Sequence, residues 1–304
     1  MEGRTISSAL LFHHPCIDGI FSALAAHLSL GSNNLVCIPH QTNVLLDLVA
    51  LKRTYPNVLT LYLVDYCGPS TTFLATACQL FDAIVLLDHH KTANDVVSAV
   101  PKNLMTKIDI HQSGCMLALN YFKPNISIEL QRMFEYVQDN DLWLHVLPES
   151  KAFTAGFMSL KLNYDPNANP YIFSLLQDLS VKDMIERGRP EVERQNKLIQ
   201  ELVNVHNYRV RVQLPNGGGT ITVLAVETTE DQYDIRSQLG HELAIRNKET
   251  GIGAVLSGPQ DKWSVSLRST AAGGDTTIIS QAFGGGGHRN ASGCMIDKAK
   301  WASF

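Results

Sequence analysis

The chain lacks a surplus of positive charge: 25 Lys and Arg stand against 29 Asp and Glu, a formal net charge of −4. Proteins that hold long nucleic acids through many phosphates carry a basic excess, so a binder of long duplexes is not expected. The six cysteines (Cys16, Cys37, Cys67, Cys78, Cys115, Cys294) are scattered, without a C-x-x-C pair. That spacing makes no disulfide framework and suits thiols in a reducing compartment. No run of about 18 apolar residues occurs, and the opening MEGRTISSALLFHH is too short and polar for a secretory signal. A cytoplasmic protein with no membrane segment is expected, organellar only if a transit segment has been removed. There is no internal repeat.

What is present is an ordinary globular composition. With 45% hydrophobic and 18% charged residues over 304 positions, the chain can bury the cores of about two domains. The stretch 83–90, AIVLLDHH, organises the rest. Its apolar β-formers read as a strand buried on both faces of a parallel sheet. Asp88, His89 and His90 then fall at the carboxyl end of that strand, where open α/β sheets bind ligands.

Strand-like and helix-like stretches alternate around it. Strands are expected at 8–12, 35–39, 59–64 and 104–109, and helices at 20–30, 44–53 and from 70 onward. A further helix is expected from Ser113-Gly114 to 121, and another over 126–141. Residues 150–180 look mixed, and 181–206 helical with a break at 188–190. From 207 a smaller α+β unit begins, with strands at 208–214, 220–226, 253–256 and 263–267 and helices at 234–246 and 276–283. The fold class is therefore α/β: a parallel-sheet domain over 1–180, a helical linker over 181–206, and a second domain over 207–304.

Three strands end in acids or histidines. The cluster they predict is His13 or His14, Asp18, Asp65, Asp88, His89, His90, and Asp139 or Asp141 from the end of a helix. So many carboxylates repel one another unless a cation holds them. Oxygen donors mixed with imidazole suit Mn2+ better than Mg2+, and there are donors enough for two ions sharing a carboxylate. Two such ions activate water and stabilise both oxygens of a phosphoryl transfer. Separately, the run of four glycines before His288 and Arg289 can bring backbone N–H groups close to an anion. Arg268, leaving the strand over 263–267, offers a second contact for a phosphate.

On these residues the chain resembles the DHH phosphoesterase superfamily. Asp88-His89-His90 matches the naming motif, and Asp65 matches the acid closing the preceding strand. Gly285-Gly286-Gly287-His288 with Ala291 and Gly293 matches the G-G-G-H-x-x-A-x-G motif of the DHH-associated domain. The resemblance implies a phosphodiesterase of nanoRNase or cyclic-dinucleotide type, which hydrolyses short oligonucleotides or dinucleotides to mononucleotides. It implies metal ligands at His13, Asp18, Asp65, His90 and one of Asp139 and Asp141; Asp141, directly before Leu142-Trp143, is preferred. Asp88 would support the metal shell and His89 would face the scissile phosphate. Arg268, Gly285, Gly286, Gly287 and His288 would bind substrate. Two Mn2+ ions are implied, with Mg2+ or Co2+ as substitutes, and a homodimer is a common state in the family. Two other activities fit: a phosphatase acting on adenosine 3′,5′-bisphosphate, and a non-catalytic nucleotide-binding regulator. The second rests on Cys16, which stands where the first motif usually has Asp and weakens one metal position.

Overall fold

The computed structural model describes residues 6–41, 44–90, 93–97, 101–258 and 261–304. The chain divides into two compact units, Met1–Val192 and Glu193–Phe304. The first contains β1 (Ser8–His13), α1 (Ile17–Leu30), β2 (Leu35–His40), α2 (Leu48–Thr54), β3 (Thr60–Val64), α3 (Thr71–Leu80) and β4 (Ala83–Asp88). It continues through α4 (Ala93–Val96), β5 (Leu104–Ile108), α5 (Gly114–Phe122), α6 (Ile128–Asp141), α7 (Ser150–Ser159) and α8 (Ile172–Asp178), and α9 (Val181–Val205) crosses the division. No helix among the described residues is long and apolar enough to cross a membrane.

The five strands form one parallel sheet in the order β2-β1-β3-β4-β5. Alternation along each strand feeds two cores. Leu10, Phe12, Val85 and Leu87 join one cluster with Phe21, Phe134 and Phe157. Ala9, Leu11, Ile84 and Leu86 join the other with Phe73, Leu74 and Phe81. A strand that must fill both faces has no polar position to spare, which is why 83–87 reads as an unbroken apolar run.

Helix ends follow side-chain caps. The Asp47 carboxylate accepts from the N–H groups of Val49 and Ala50, both at 2.9 Å, so α2 begins at Leu48 and not at 44. Ser70 caps α3 through the Phe73 N–H, leaving Pro69 outside the helix. The mixed stretch 150–180 holds two helices. In α7, Ala152, Phe153, Gly156 and Phe157 are buried, a helical stripe obscured in sequence by Ser, Thr and Gly.

The break expected at 188–190 does not occur: α9 runs through with Pro190 inside it. Proline there forfeits a backbone hydrogen bond, and packing overrides the loss. Gly188 is a contact point with α7, since a Cβ on it would lie 1.8 Å from the Ala152 carbonyl oxygen.

The second unit contains β6 (Tyr208–Gln213), β7 (Thr220–Glu227), α10 (Arg236–Arg246), β8 (Ile252–Ser257) and β9 (Lys262–Ser269). After these come α11 (Thr277–Ala282), β10 (Gly286–His288), β11 (Ala291–Asp297) and α12 (Lys298–Ala302). Its sheet runs β10-β11-β9-β8-β7-β6, antiparallel except for β7 with β8. A tight turn at Pro215–Gly217 joins β6 to β7. Val223, Ala225, Ala254 and Leu256 pack with Ile279 and Trp301. The alternate residues Leu224, Val226 and Val255 pack with Leu239 and Leu243 of α10 and with Ile199 and Val203 of α9. The C-terminal half of α9 is thus core to the second unit.

Gly188→Ala should destabilise the protein by about 1–3 kcal/mol through overpacking against α7. An equilibrium denaturation midpoint measures this, and an unchanged midpoint would contradict the α7–α9 contact.

Candidate metal centre

The strand order places β1, β3 and β4 side by side, with β2 and β3 on opposite flanks of β1. The chain therefore reverses its direction of progress between β1 and β3, and the crevice at such a switch point is where open α/β sheets hold ligands. His13 ends β1, Cys16 and Asp18 follow it, Asp65 follows β3, and Asp88 ends β4 directly before His89 and His90. Asp141 comes from the last turn of α6.

Asp65 lies at φ 53°, a left-handed conformation that Asp tolerates better than most residues. Its N–H donates to the Leu87 carbonyl at 2.9 Å, which ties it to the neighbouring strand end. Its Oδ1 lies 3.1 Å from His89 Nε2, and its Oδ2 lies 3.4 Å from His13 Nδ1. His89 Nε2 is also 3.7 Å from Asp18 Oδ2 and 3.5 Å from Asp141 Oδ2. One imidazole nitrogen thus faces three carboxylates.

Asp88 has a different task. Its Oδ1 accepts from the His89 N–H at 2.7 Å, the His90 N–H at 3.1 Å and His90 Nδ1 at 2.7 Å. The carboxylate shapes the turn after β4 and fixes the His90 ring, leaving Nε2 as its lone-pair donor. Asp18 is held by the start of α5: its oxygens accept from the Gly114 N–H at 2.7 Å and the Cys115 N–H at 2.9 Å. A carboxylate at a helix N-terminus is stabilised by the dipole and by donors that lack helical partners.

Of the two acids ending α6, Asp141 joins the cluster. Asp139 is buried and accepts from the Val146 N–H at 2.9 Å, so it braces the turn after the helix. His14 stays outside the candidate sets, its N–H donating to the His40 carbonyl. His111 is exposed.

Burial raises the Asp18 pKa to about 8, with Asp65 and Asp141 adding to the effect. Burial also works to raise Asp65, but the imidazoles of His13 and His89 outweigh it and hold that carboxyl at about 2. For His89, burial opposes protonation, and the carboxylates of Asp65, Asp141 and Asp18 overcome it, raising its pKa to about 9. Burial, reinforced by Asp65 and Asp18, pushes the Cys16 thiol well up.

These residues fit a divalent cation. Asp65 Oδ2 and Asp88 Oδ2 are buried without a hydrogen-bond partner, an arrangement that costs free energy unless something satisfies them. Three sets of donor atoms each lie within 4.8 Å of one another: His13, Cys16 and Asp65; Asp65, His89 and His90; and Asp18, His89 and Asp141. Asp65 belongs to two of the sets.

The second unit has its own groove, of about 710 Å3, lined by Tyr233, Arg236, Ser237, Ser266, Arg268 and the 284–287 and 291–295 segments. Arg268 lies within β9, not beyond it, and donates to Ser237 Oγ at 2.8 Å, Ser266 Oγ at 3.2 Å and the Leu267 carbonyl at 2.9 Å. Arg236 stacks on Tyr233 with its guanidinium 5.2 Å from the ring centre, and its Nε is buried without a partner. The glycine run is not an open loop: Gly286–His288 pairs antiparallel with β11. Gly285, Gly286 and Gly287 face the groove, whereas His288 is exposed and outside its lining.

Sequence reasoning missed Arg236, Tyr233 and the α5 N-terminus. The Ser113-Gly114 helix start was the available signal for the last, because a Gly there lets the helix end come close to other groups. A Cβ on Gly114 would lie 2.6 Å from Asp65 Cβ and 2.7 Å from Asp18 Oδ2. Gly114→Ala should therefore leave the protein folded but weaken Mn2+ binding by roughly 10- to 100-fold, the usual effect of disturbing groups that orient ligands. Calorimetric titration with Mn2+ measures this; wild-type affinity in the variant would contradict the placement of α5.

No protein-family model matches the chain. An uncharacterized protein of Acanthamoeba polyphaga mimivirus is 26% identical over 221 residues, which is 72% of this chain and 49% of that protein; the match thus spans about half of the relative's length. Among solved structures, the DHH domain of a member of a ribosomal-protein family superposes with a TM-score of 0.58 at 14% identity, covering 96% of this chain and 83% of its own. A pGpG-specific phosphodiesterase from Vibrio cholerae gives 0.54 at 10% identity, covering 97% and 95%. RecJ from Thermus thermophilus, in complex with Mn2+, gives 0.50 at 12% identity, covering 97% of this chain and 50% of that one. These superpositions cover nearly the whole chain, and its fold is the one these proteins share, a DHH domain among them.

Proposed function

We propose that the chain is a metal-dependent phosphoesterase that hydrolyses short oligonucleotides, or linear or cyclic dinucleotides, to mononucleotides. In this reading the first unit is catalytic and the second holds substrate. The observation that carries it is the cluster of carboxylates and imidazoles at the switch point of the sheet, with Asp65 common to two donor sets and its Oδ2 buried without a hydrogen bond. A pGpG-specific phosphodiesterase and an Mn2+-bound RecJ with the same fold support it.

His13, Asp18, Asp65, His90 and Asp141 are the residues that would hold Mn2+ or a similar ion. When bound, such an ion supplies hydroxide at neutral pH by lowering the pKa of water toward about 7, and draws charge from phosphoryl oxygens. Asp65, common to two donor sets, suits a shared ligand. Asp88 acts through its neighbours, keeping His90 in one tautomer and fixing the 88–90 turn. His89 is assigned to the scissile phosphate. Its Nε2 lies 3.1–3.7 Å from oxygens of Asp65, Asp141 and Asp18, and a proton on that nitrogen would be donated to a phosphoryl oxygen.

The groove of the second unit suits the rest of the substrate. Its lining includes Arg236 and Arg268 with serine hydroxyls, and no Asp or Glu among the described residues. Guanidinium groups flanked by hydroxyls suit a phosphate. A compact groove and a net charge of −4 favour short substrates over long strands.

The test is Mn2+-dependent hydrolysis of a panel: a dinucleotide, a pentanucleotide, a longer single strand, a cyclic dinucleotide and adenosine 3′,5′-bisphosphate. Rapid cleavage of the shortest RNAs is expected, abolished by Asp88→Ala with His89→Ala. Arg268→Ala should raise KM for the dinucleotide with little change in kcat, by the equivalent of about 1.5–3 kcal/mol for a charge-assisted hydrogen bond. Preference for the bisphosphate would shift the reading to a phosphomonoesterase. Silence across the panel with Mn2+ bound would rule out these esters as substrates.

A further inference from the structure

The three donor sets are chemically unequal. Two offer only nitrogen and oxygen, whereas the set of His13, Cys16 and Asp65 is the one among the described residues that includes sulfur. Resting on the metal-centre reading above, we infer that this position takes a borderline-soft divalent ion of the zinc and cobalt class through the Cys16 thiolate, in preference to Mn2+. The neighbouring position, built on Asp65 and His90 without sulfur, keeps the harder donor set that suits Mn2+.

Several features support this. Cys16 occupies the N-cap of α1, where its sulfur draws on the Gly19 N–H without forming a capping hydrogen bond of normal geometry. N-caps favour Ser, Thr, Asp or Asn because an oxygen there satisfies helix N–H groups, so a thiol at this place contributes little to the helix. Asp65, only 2% exposed, directs into the same set an Oδ2 that faces the His13 imidazole without a well-formed hydrogen bond, and a cation between the two would satisfy both. The separation of that oxygen from His13 Nδ1 is 3.4 Å. Nitrogen and oxygen ligands each about 2.0–2.1 Å from a tetrahedral ion lie roughly 3.3 Å apart, so this pair already has the required spacing.

Three protein ligands with one position open to water or substrate is the pattern of catalytic zinc sites. Thiolate donors select zinc-class ions, and carboxylate-rich sets select manganese and magnesium. Coordination requires the thiolate, and the thiol proton leaves to solvent as the sulfur–metal bond forms. Exchanging an acid for a thiol at this turn therefore changes which ion is held, without abolishing the site.

Metal-free full-length protein titrated with Co2+ tests this directly, because sulfur bound to cobalt gives a near-ultraviolet charge-transfer band. Wild type should show the band, and Cys16→Ser and Cys16→Asp should lack it while keeping wild-type circular dichroism. In competition, the ratio of Zn2+ to Mn2+ affinity should fall by at least roughly 10- to 100-fold in Cys16→Asp, the scale of effect that loss of an outer-shell partner alone produces. Cobalt bound by wild type without a sulfur band, or an equal band in Cys16→Ser, would overturn the inference and leave the phosphoesterase reading standing. No binding of Co2+, Zn2+ or Mn2+ by wild type would overturn both.

Discussion

Three carboxylates, those of Asp18, Asp65 and Asp141, converge on a single imidazole nitrogen of His89, and the first unit is organised around that concentration of negative charge. Buried like charges disfavour one another's ionisation. The fold answers locally: a helix N-terminus is brought to Asp18, histidines are set against Asp65, and Asp88 fixes the turn that carries His89 and His90. Even so, oxygens of Asp65 and Asp88 remain without partners. Each local device steadies one group, and a divalent cation is what would satisfy the set.

The sheet makes this convergence possible. Neighbouring strands β1, β3 and β4 deliver their ends to one edge, and alternation along each strand fills cores on both faces. Rigid, doubly covered strands hold chemistry at their ends more accurately than loops would. The second unit follows a different logic, with a mostly antiparallel sheet presenting Arg268, and a helix start presenting Arg236, to one groove. A charge-rich centre and a cationic groove divide the work of hydrolysis and recognition in the proposed function.

Much of this was legible in sequence because the signals are local. The run 83–87 identifies a doubly buried strand, and acids or histidines at three strand ends predict a shared edge. What escaped depends on long-range contact. Nothing in the sequence of α5 says that its first N–H groups will meet Asp18, 96 and 97 residues away. Arg236 is one cation among 25 until β9 and β11 are laid beside it. The break expected at 188–190 failed because Gly188 serves the packing of α9 on α7, which local propensity cannot register. The glycine run carries no strand signal of its own, but pairing with β11 makes part of it an edge strand.

The central claim is that a divalent cation resides where the ends of β1, β3 and β4 meet. Equilibrium dialysis of Mn2+ against wild type and Asp65→Asn tests it most directly, since Asp65 belongs to two donor sets and Asn keeps the shape while removing the charge. The account predicts at least one tightly held ion per chain in wild type and its loss in the variant, with the fold unchanged by circular dichroism. Equal Mn2+ binding by both proteins, or none by wild type, would contradict it.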